Sequence, residues 1–304
     1  WRGALEHALS RVSSLGFDAI DLICIAQWDH VTIDALVANY GAEVERVRGL
    51  LTKFGLTAVA ANLAITPQLF EREGEDENAL RREHTKLFCR MMNDLGITKG
   101  SYYPGVKQTD ADYEAVYAAT VESIREIQSI AADYHVTLGP ELHWNTNVET
   151  LDDSRRLLDD MPELTIAYDP SHFIMQGEPI EATAFLIDRA HHVHLRSAAV
   201  DRMQAPLGEA ADAMLWILRR LREIDYPGDV TIEYLPSEEL DTEAEISRLR
   251  DLITRDRLEE EERAVHDSPL GDALQTRQVV VINTSYQSEA YVPLIAKSGA
   301  LGVM

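Results

Sequence analysis

The chain has 304 residues, 45% hydrophobic and 26% charged, a composition typical of a globular protein with a conventional core and unlike that of disordered or fibrous chains. Its 28 lysines and arginines against 52 aspartates and glutamates give a formal charge of −24, which argues against nucleic acid and anionic membranes as partners. Cys24 and Cys89 form no CxxC pair, and no apolar run reaches membrane-spanning length, so the pattern excludes a disulfide framework and a membrane protein and favours a cytoplasmic location.

Short apolar runs alternate with longer amphipathic stretches over most of the sequence, which is typical of repeated βα units and a parallel sheet. The predicted strands in chain order are 17–22, 57–63, 100–103, 136–141, 164–168, 192–195 and 230–234. Helical spacing of apolar residues predicts helices at about 2–14, 32–54, 76–95, 111–134, 148–160, 180–190, 210–223 and 239–263. This order predicts an α/β protein with a (β/α)8 TIM barrel, a fold that commonly takes about 250 residues.

The two ends of the chain do not follow the usual barrel order, because Trp1 begins inside the first predicted helix and no strand precedes it. The β-branched run 278–283 (QVVVIN) supplies a candidate eighth strand. We therefore hypothesise a circularly permuted barrel in which 278–283 pairs in parallel between 17–22 and 230–234. The chain would then be a single domain over 1–304. Residues 1–263 would contain seven strands and their helices, 264–277 would be a linker, and 278–304 would contain the first strand and a long loop. The alternative is a barrel that lacks its first strand at the N-terminus and has a separate C-terminal tail.

Four residues with carboxylate or imidazole side chains lie at the ends of predicted apolar strands: Glu141, Asp169, His194 and Glu233. The active site of a parallel barrel forms at this end of the strands. One such residue alone more often caps a helix or pairs with an arginine, but four on four strands predict a single divalent metal ion. Three carboxylates and one imidazole suit Mn²⁺ first, with Mg²⁺, Co²⁺ or Zn²⁺ as alternatives.

Further polar residues at the strand ends could line a substrate pocket. His143 lies two residues after Glu141, on the same face of an extended strand, so it is a candidate base or a buried structural histidine. Arg196 and Arg202 could bind a substrate oxygen or form salt bridges, and Asn62 and Trp144 could line a sugar pocket or simply pack.

The sequence resembles the xylose-isomerase-like TIM-barrel superfamily of sugar phosphate isomerases and epimerases. The resemblance covers most of residues 10–235 and is carried by the segments GFDAIDL (16–22), GPELHW (139–144), AYDPSHF (167–173), HVHLRSA (192–198), PLGEA (206–210) and YPGDVTIEY (226–234). It implies that Glu141, Asp169, His194 and Glu233 are the metal ligands and that His172 contacts the substrate. It also implies that Glu141 and Glu233 act as the acid and base that move a proton beside a ketone.

The sequence differs from known members of this superfamily at two points, and these differences limit the substrate and the kind of metal site that the resemblance predicts. Epimerases of free ketoses carry a second glutamate six residues after the first, where this chain has Asn147. Endonuclease IV shares the fold but uses additional histidines for three zinc ions, and those are missing here, so we expect a mononuclear site and no DNA repair.

The sequence thus predicts a metal-dependent isomerase or epimerase acting on a sugar or polyol by proton transfer next to a polarised carbonyl. The alternative within the fold is a lyase or dehydratase, such as the barrel subunit of an enzyme that cleaves C-glycosides through a 3-keto sugar. An alternative of another class is a non-catalytic sugar-binding subunit. The expected partner is a small sugar or sugar derivative, and the chain could form a homo-oligomer or a hetero-subunit complex.

Overall fold

The computed structural model describes residues 4–25, 30–64, 74–107, 109–235, 237–267, 279–283 and 292–295. Within them the strands are β1 (Ala19–Ile25), β2 (Thr57–Ala64), β3 (Lys99–Tyr102), β4 (Thr137–Pro140), β5 (Ile166–Tyr168), β6 (Ala190–Leu195), β7 (Val230–Tyr234), β8 (Val279–Asn283) and β9 (Val292–Ile295). The helices are α1 (Ala4–Ser14), α2 (Ile33–Phe54), α3 (Gly74–Leu95), α4 (Tyr113–Asp133), α5 (Leu151–Asp160), α6 (Ser171–Ile174), α7 (Ala184–Ile187), α8 (Ala211–Glu223) and α9 (Thr242–Asp267).

Seven strands run parallel in sequential order, as the alternation of apolar and amphipathic segments predicts. β1 to β4 form one hydrogen-bonded sheet and β5 to β7 belong to a second. A parallel bridge between Glu141 and Ala167 connects β4 to β5. The predicted TIM barrel is therefore confirmed, and the carboxyl ends of its strands meet at one face.

The predicted C-terminal strand is present and has one of its two expected neighbours. β8 pairs in parallel with β7, Val230 opposite Val279. The other edge of β8 pairs antiparallel with β9. Within the described residues, β9 therefore takes the position beside β8 at which β1 was expected. β9 follows β8 closely in the chain, and a local antiparallel pairing carries a smaller loop-closure cost than a pairing with β1.

Local sequence signals account for most helix boundaries. Thr32 caps α2 by accepting a hydrogen bond from the Ala35 amide, and Gly55 ends it in the left-handed conformation with φ 66°. Thr150 caps α5 in the same way, which moves the start of that helix from the predicted 148 to Leu151.

Two predicted segments differ from the structure. The helix expected at 180–190 is instead a 3-10 turn after Pro179, Ile180–Thr183, followed by the single turn α7. α9 continues to Asp267 and so takes up the start of the linker expected at 264–277; the remainder of that linker lies outside the described residues. Glutamate and arginine are good helix formers, which explains the extension.

The core lies between the strands and the surrounding helices and consists mainly of buried aliphatic and aromatic side chains. A second set of buried residues is polar or charged and includes Glu141, Asp169, His194, Arg196 and Glu233. Ionised groups are costly to bury without partners, so their grouping marks a site. Among the described helices, none combines the length and the apolar character needed to cross a membrane.

Candidate active site

Three of the four predicted metal ligands meet at the carboxyl ends of the strands. Glu141 directly follows β4, and His194 and Glu233 lie near the ends of β6 and β7. The Nδ1 atom of His194 is 2.9 Å from Glu141 Oε1 and 3.1 Å from Glu233 Oε2. One ligand atom from each residue lies within 4.8 Å of the others, and all three are buried, an arrangement that could hold a metal ion.

The fourth predicted ligand, Asp169, is next to this group but already has protein partners. It follows β5, where its Oδ1 accepts a hydrogen bond from the Ser171 amide at 2.8 Å and its Oδ2 accepts one from Arg196 at 2.5 Å. Asp169 also forms a second metal-capable group with Glu141 and His172. Glu141 is common to both groups, so the four predicted ligands form one continuous site.

Arg196 was predicted to bind substrate or to form a salt bridge, and the structure contains the salt bridge. Its guanidinium is fully buried, donates to Asp169 and to Ser171 Oγ, and lies 3.9 Å from Glu233. A fixed positive charge at this position offsets part of the charge of three buried carboxylates.

Several ionisable side chains are buried together in the site, and this shifts their pKa values. Burial raises the pKa of Glu141 and of Asp169, and the Glu233 charge raises both further, while His194 and Arg196 act in the opposite direction. Burial would lower the pKa of His194, but Glu233, Glu141 and Asp21 together hold that pKa well above its usual value. Without a metal ion, an imidazolium therefore compensates the carboxylates.

Two further histidine rings contact each other beside the carboxylates, and His172 Nε2 lies 3.6 Å from Asp169 Oδ2. The rings of His143 and His172 are 3.7 Å apart between centroids. Burial lowers the pKa of His143 to about 4 and that of His172 well below its usual value, so both rings are neutral. His143 Nδ1 is 2.5 Å from the Trp144 carbonyl and donates to it, which leaves Nε2 as the basic nitrogen.

His172 and Trp144 lie at different depths. Both ring nitrogens of His172 are buried and have no hydrogen-bond partner among the described residues. Trp144 is 43% exposed and stands at the surface next to His143. Buried polar groups and aromatic side chains are both common in sites that bind small molecules.

Asn62 and Arg202 are the remaining predicted pocket residues. Asn62 is buried in β2, aligned with Ile23 of β1 and Ser101 of β3. Arg202 is half exposed and pairs with Glu209, the salt-bridge alternative that the acidic composition favoured.

The sequence reasoning missed one cluster, formed by Asp21, His192 and Thr231 beneath His194. Asp21 Oδ2 accepts hydrogen bonds from His192 Nε2 at 2.8 Å and from His194 Nε2 at 3.1 Å. The available signals were an aspartate inside an otherwise apolar strand and the alternation of His192 with His194.

The fold and the site together define a class of protein: a parallel α/β barrel with a buried cluster of carboxylates and histidines, arranged so that it could hold a metal ion, at the carboxyl ends of its strands. The family model described as a xylose isomerase-like TIM barrel matches residues 9–252. The chain belongs to this xylose isomerase-like TIM barrel family, as the sequence motifs indicated.

Similar proteins include sugar epimerases. The chain is 26% identical to a D-psicose 3-epimerase from Enterocloster bolteae over 269 residues, 83% of this chain and 84% of that protein. A 3-keto-D-glucoside 4-epimerase from E. coli shares 16% identity at a TM-score of 0.60, covering 84% of this chain and 94% of that one. A xylose isomerase-like TIM barrel protein from Mycobacterium smegmatis, solved with magnesium, shares 18% identity at a TM-score of 0.63, covering 84% and 90%.

Proposed function

We propose that this protein is a divalent-metal-dependent epimerase or isomerase that moves a proton on a sugar carbon next to a carbonyl. The observation that carries the proposal is the buried group of Glu141, His194 and Glu233 at the carboxyl ends of the strands. The epimerase relatives support the substrate class, since they act on a ketose and on a 3-keto-glucoside.

The donor set fits one divalent ion. Carboxylate oxygens and an imidazole nitrogen are ligands for Mn²⁺, Mg²⁺, Co²⁺ and Zn²⁺, and the oxygen-rich set favours Mn²⁺. Glu141, His194 and Glu233 would hold the ion, and Asp169 would join them by sharing or releasing its contact with Arg196. Such an ion polarises a substrate carbonyl and makes the neighbouring C–H more acidic.

The chain's own residues supply the proton transfer. Glu141 and Glu233 both lie beside His194 Nδ1, so the two carboxylates border the same space, and each could hold a proton in turn for a substrate bound there. His143 offers a neutral Nε2 as an alternative base, because its Nδ1 hydrogen is engaged by the Trp144 carbonyl. His172 has two buried ring nitrogens for substrate hydroxyl groups.

Asn147 favours a substrate other than a free ketose. It is buried at the position where the ketose epimerases carry a second glutamate. The nearby Glu149 does not replace that residue, because it accepts from Lys107 and from the Asn145 amide. This difference favours a 3-keto sugar or its glycoside over a free ketose as the proposed substrate.

Elimination is the second candidate reaction, and His143 is the observation that favours it. A base separate from the two glutamates could remove the proton beside a 3-keto group through its Nε2, after which loss of a β-substituent competes with reprotonation. This is the chemistry of a lyase or dehydratase on the same scaffold.

A metal analysis followed by proton NMR in D₂O tests the proposal. Purified protein should contain one equivalent of metal, and the proton beside the carbonyl of a 3-keto-glucoside should exchange for deuterium faster than that of D-fructose, a free ketose. Epimer formation identifies an epimerase, and an unsaturated product identifies a lyase. A sugar-binding subunit would bind without exchange, which would contradict the proposal.

Matched variants connect the activity to the site. Glu233→Gln should abolish exchange and lower metal content, whereas Glu114→Gln, the same chemical change on the exposed helix α4, should alter neither. Full exchange by Glu233→Gln would show that the chemistry occurs elsewhere.

Location and assembly are part of the same proposal. Cys24 and Cys89 are both free and buried, which suits a reducing cytoplasm. We further propose self-association through the barrel loops; sedimentation velocity would measure it, and a monomer at micromolar concentration would contradict it.

A further inference from the structure

Beneath the predicted metal ligands lies a buried cluster made of Asp21, His192 and Thr231. All three side chains are fully buried. Asp21 Oδ2 lies 2.8 Å from His192 Nε2, and Thr231 Oγ1 lies 3.2 Å from the same nitrogen. The cluster joins β1, β6 and β7 inside the barrel.

Asp21 also contacts a predicted metal ligand. The oxygen that accepts from His192 accepts from His194 Nε2 at 3.1 Å. Its other oxygen, Oδ1, is buried and has no hydrogen-bond partner among the described residues. Every hydrogen bond that the structure records for this carboxylate therefore goes to one of the two imidazole rings.

The two nitrogens of His194 face opposite directions. Nε2 points down to Asp21, while Nδ1 points up to Glu141 and Glu233 at 2.9 and 3.1 Å. A carboxylate that accepts from Nε2–H keeps the hydrogen on that nitrogen. The lone pair of the neutral ring is then on Nδ1, the nitrogen that faces the other ligands.

We propose that Asp21 is a positioning residue that fixes the tautomer and ring orientation of His194, so that Nδ1 is the metal-binding nitrogen. His192 holds Asp21 in place from the neighbouring position of β6. The inference rests on the proposed metal site and adds to it the residue that selects which nitrogen binds. Such carboxylate–histidine–metal arrangements typically affect metal affinity by 10–100-fold.

Metal titration of two variants tests the role. Asp21→Asn keeps the size of the side chain but removes its charge, and Thr231→Val changes the same cluster at a residue that contacts His192 rather than His194. Competition titration with Mn²⁺ should give a Kd about 10–100-fold weaker for Asp21→Asn and within about twofold of wild type for Thr231→Val, with thermal unfolding recorded for both. A folded Asp21→Asn protein with wild-type affinity overturns the proposal, and so does an equal loss in both variants.

Nitrogen NMR of the wild type keeps the proposal testable if Asp21→Asn does not fold. In protein with ¹⁵N-labelled histidine and one equivalent of Zn²⁺, a diamagnetic probe, His194 should show a protonated Nε2 and a metal-shifted Nδ1. Metal coordination through Nε2 overturns the proposal. Two equivalents of Zn²⁺ with Nε2 of His194 unprotonated also overturn it, because a metal ion would then lie between Asp21 and His194.

These outcomes are separable from those of the proposed reaction. A wild-type protein that binds neither Mn²⁺ nor Zn²⁺ overturns both proposals. Metal binding through Nδ1 without proton exchange on any sugar leaves the role of Asp21 in place and removes only the proposed activity.

Discussion

His143 and Glu141 are two residues apart and compete for the role of the base. Glu141 touches His194 Nδ1 and is a predicted metal ligand, whereas His143 packs against His172 and Tyr103. A carboxylate that binds the metal becomes a weaker base, because the cation stabilises its charged form. His143 is not a predicted metal ligand, but burial lowers its pKa to about 4, so its ring is also a weak base.

Replacing His143 with Gln separates the two roles. If His143 is the base, its loss should lower kcat by roughly 10²–10⁴-fold while metal content stays at the wild-type level. Glu141→Gln should instead lower metal content together with kcat. Steady-state kinetics paired with metal analysis measures both, and a His143→Gln enzyme with wild-type kcat would assign the proton transfer to the glutamates alone.

His191 makes stability depend on pH. Its Nε2–H donates to the Gly100 carbonyl at 2.8 Å, and burial lowers its pKa from 6.5 to about 4. Between these values the unfolded chain binds more protons than the folded one. The contribution to stability is therefore complete above about pH 6.5 and is lost as the pH falls toward 4.

His191→Gln should flatten this dependence, since an amide can donate to the same carbonyl and does not titrate. The loss of unfolding free energy between pH 7 and pH 4.5 should be smaller in the variant by up to about 2.5 kcal/mol, measured by urea denaturation at the two values. Parallel pH profiles for the two proteins would contradict this assignment.

At the scale of elements, the regular repeat was predictable and its irregularities were not. The seven parallel strands and most helices follow from hydrophobic periodicity, and the grouping of the predicted ligands Glu141, His194 and Glu233 follows from polar residues at strand ends. The pairing of β5 with β6 departs from regularity: consecutive residues Ile166 and Ala167 pair with Ala190 and His192, so His191 is the extra residue of a bulge.

That bulge shows why part of the site escaped prediction. Strict alternation would direct His191 and His192 to opposite faces, yet His191 reaches Gly100 on β3 and His192 reaches Asp21 on β1. The salt bridge of Arg196 with Asp169 was foreseen only as one of two alternatives, because spacing in sequence does not determine which side chains meet across a barrel. The β8–β9 pairing depends on loop closure, which the apolar pattern of 278–283 does not encode.

Gly139 allows β4 and β5 to approach closely, and an alanine there should weaken the barrel. A Cβ at this position would lie 2.2 Å from the Thr165 carbonyl oxygen and 2.7 Å from His191 Cε1. The strands must separate to relieve this clash, which typically costs about 1–3 kcal/mol. Thermal unfolding should show a clear decrease in Tm for Gly139→Ala.

Gly49 is the matched control for this substitution. It lies in α2 at an exposed position, and a Cβ there would meet nothing within 4 Å. Alanine favours the helix over glycine by about 0.5–1 kcal/mol, so Gly49→Ala should raise Tm slightly. Equal effects of the two substitutions would contradict the close approach at Gly139.

For the whole molecule, the site is a local concentration of the acidic excess that gives the chain its charge of −24. Glu141, Asp169 and Glu233 are buried together, and the charge of Glu233 raises the pKa of Glu141 and of Asp169, so the fold carries an electrostatic cost at the carboxyl ends of its strands. His194 and Arg196 reduce that cost, and a divalent cation would reduce it further. Metal binding and folding stability should therefore be coupled.

Removing metal ions with EDTA should consequently lower the thermal stability of the protein. A ligand at 100 times its Kd stabilises the folded state by about 2.7 kcal/mol, which for a domain of about 300 residues corresponds to a Tm shift of roughly 4 °C. Calorimetry of EDTA-treated protein, before and after addition of Mn²⁺, measures the shift. Glu233→Gln should show little response to Mn²⁺, while Glu114→Gln should respond like the wild type. A wild-type Tm that does not change with Mn²⁺ would mean that the buried carboxylates are neutralised by His194 and Arg196 alone.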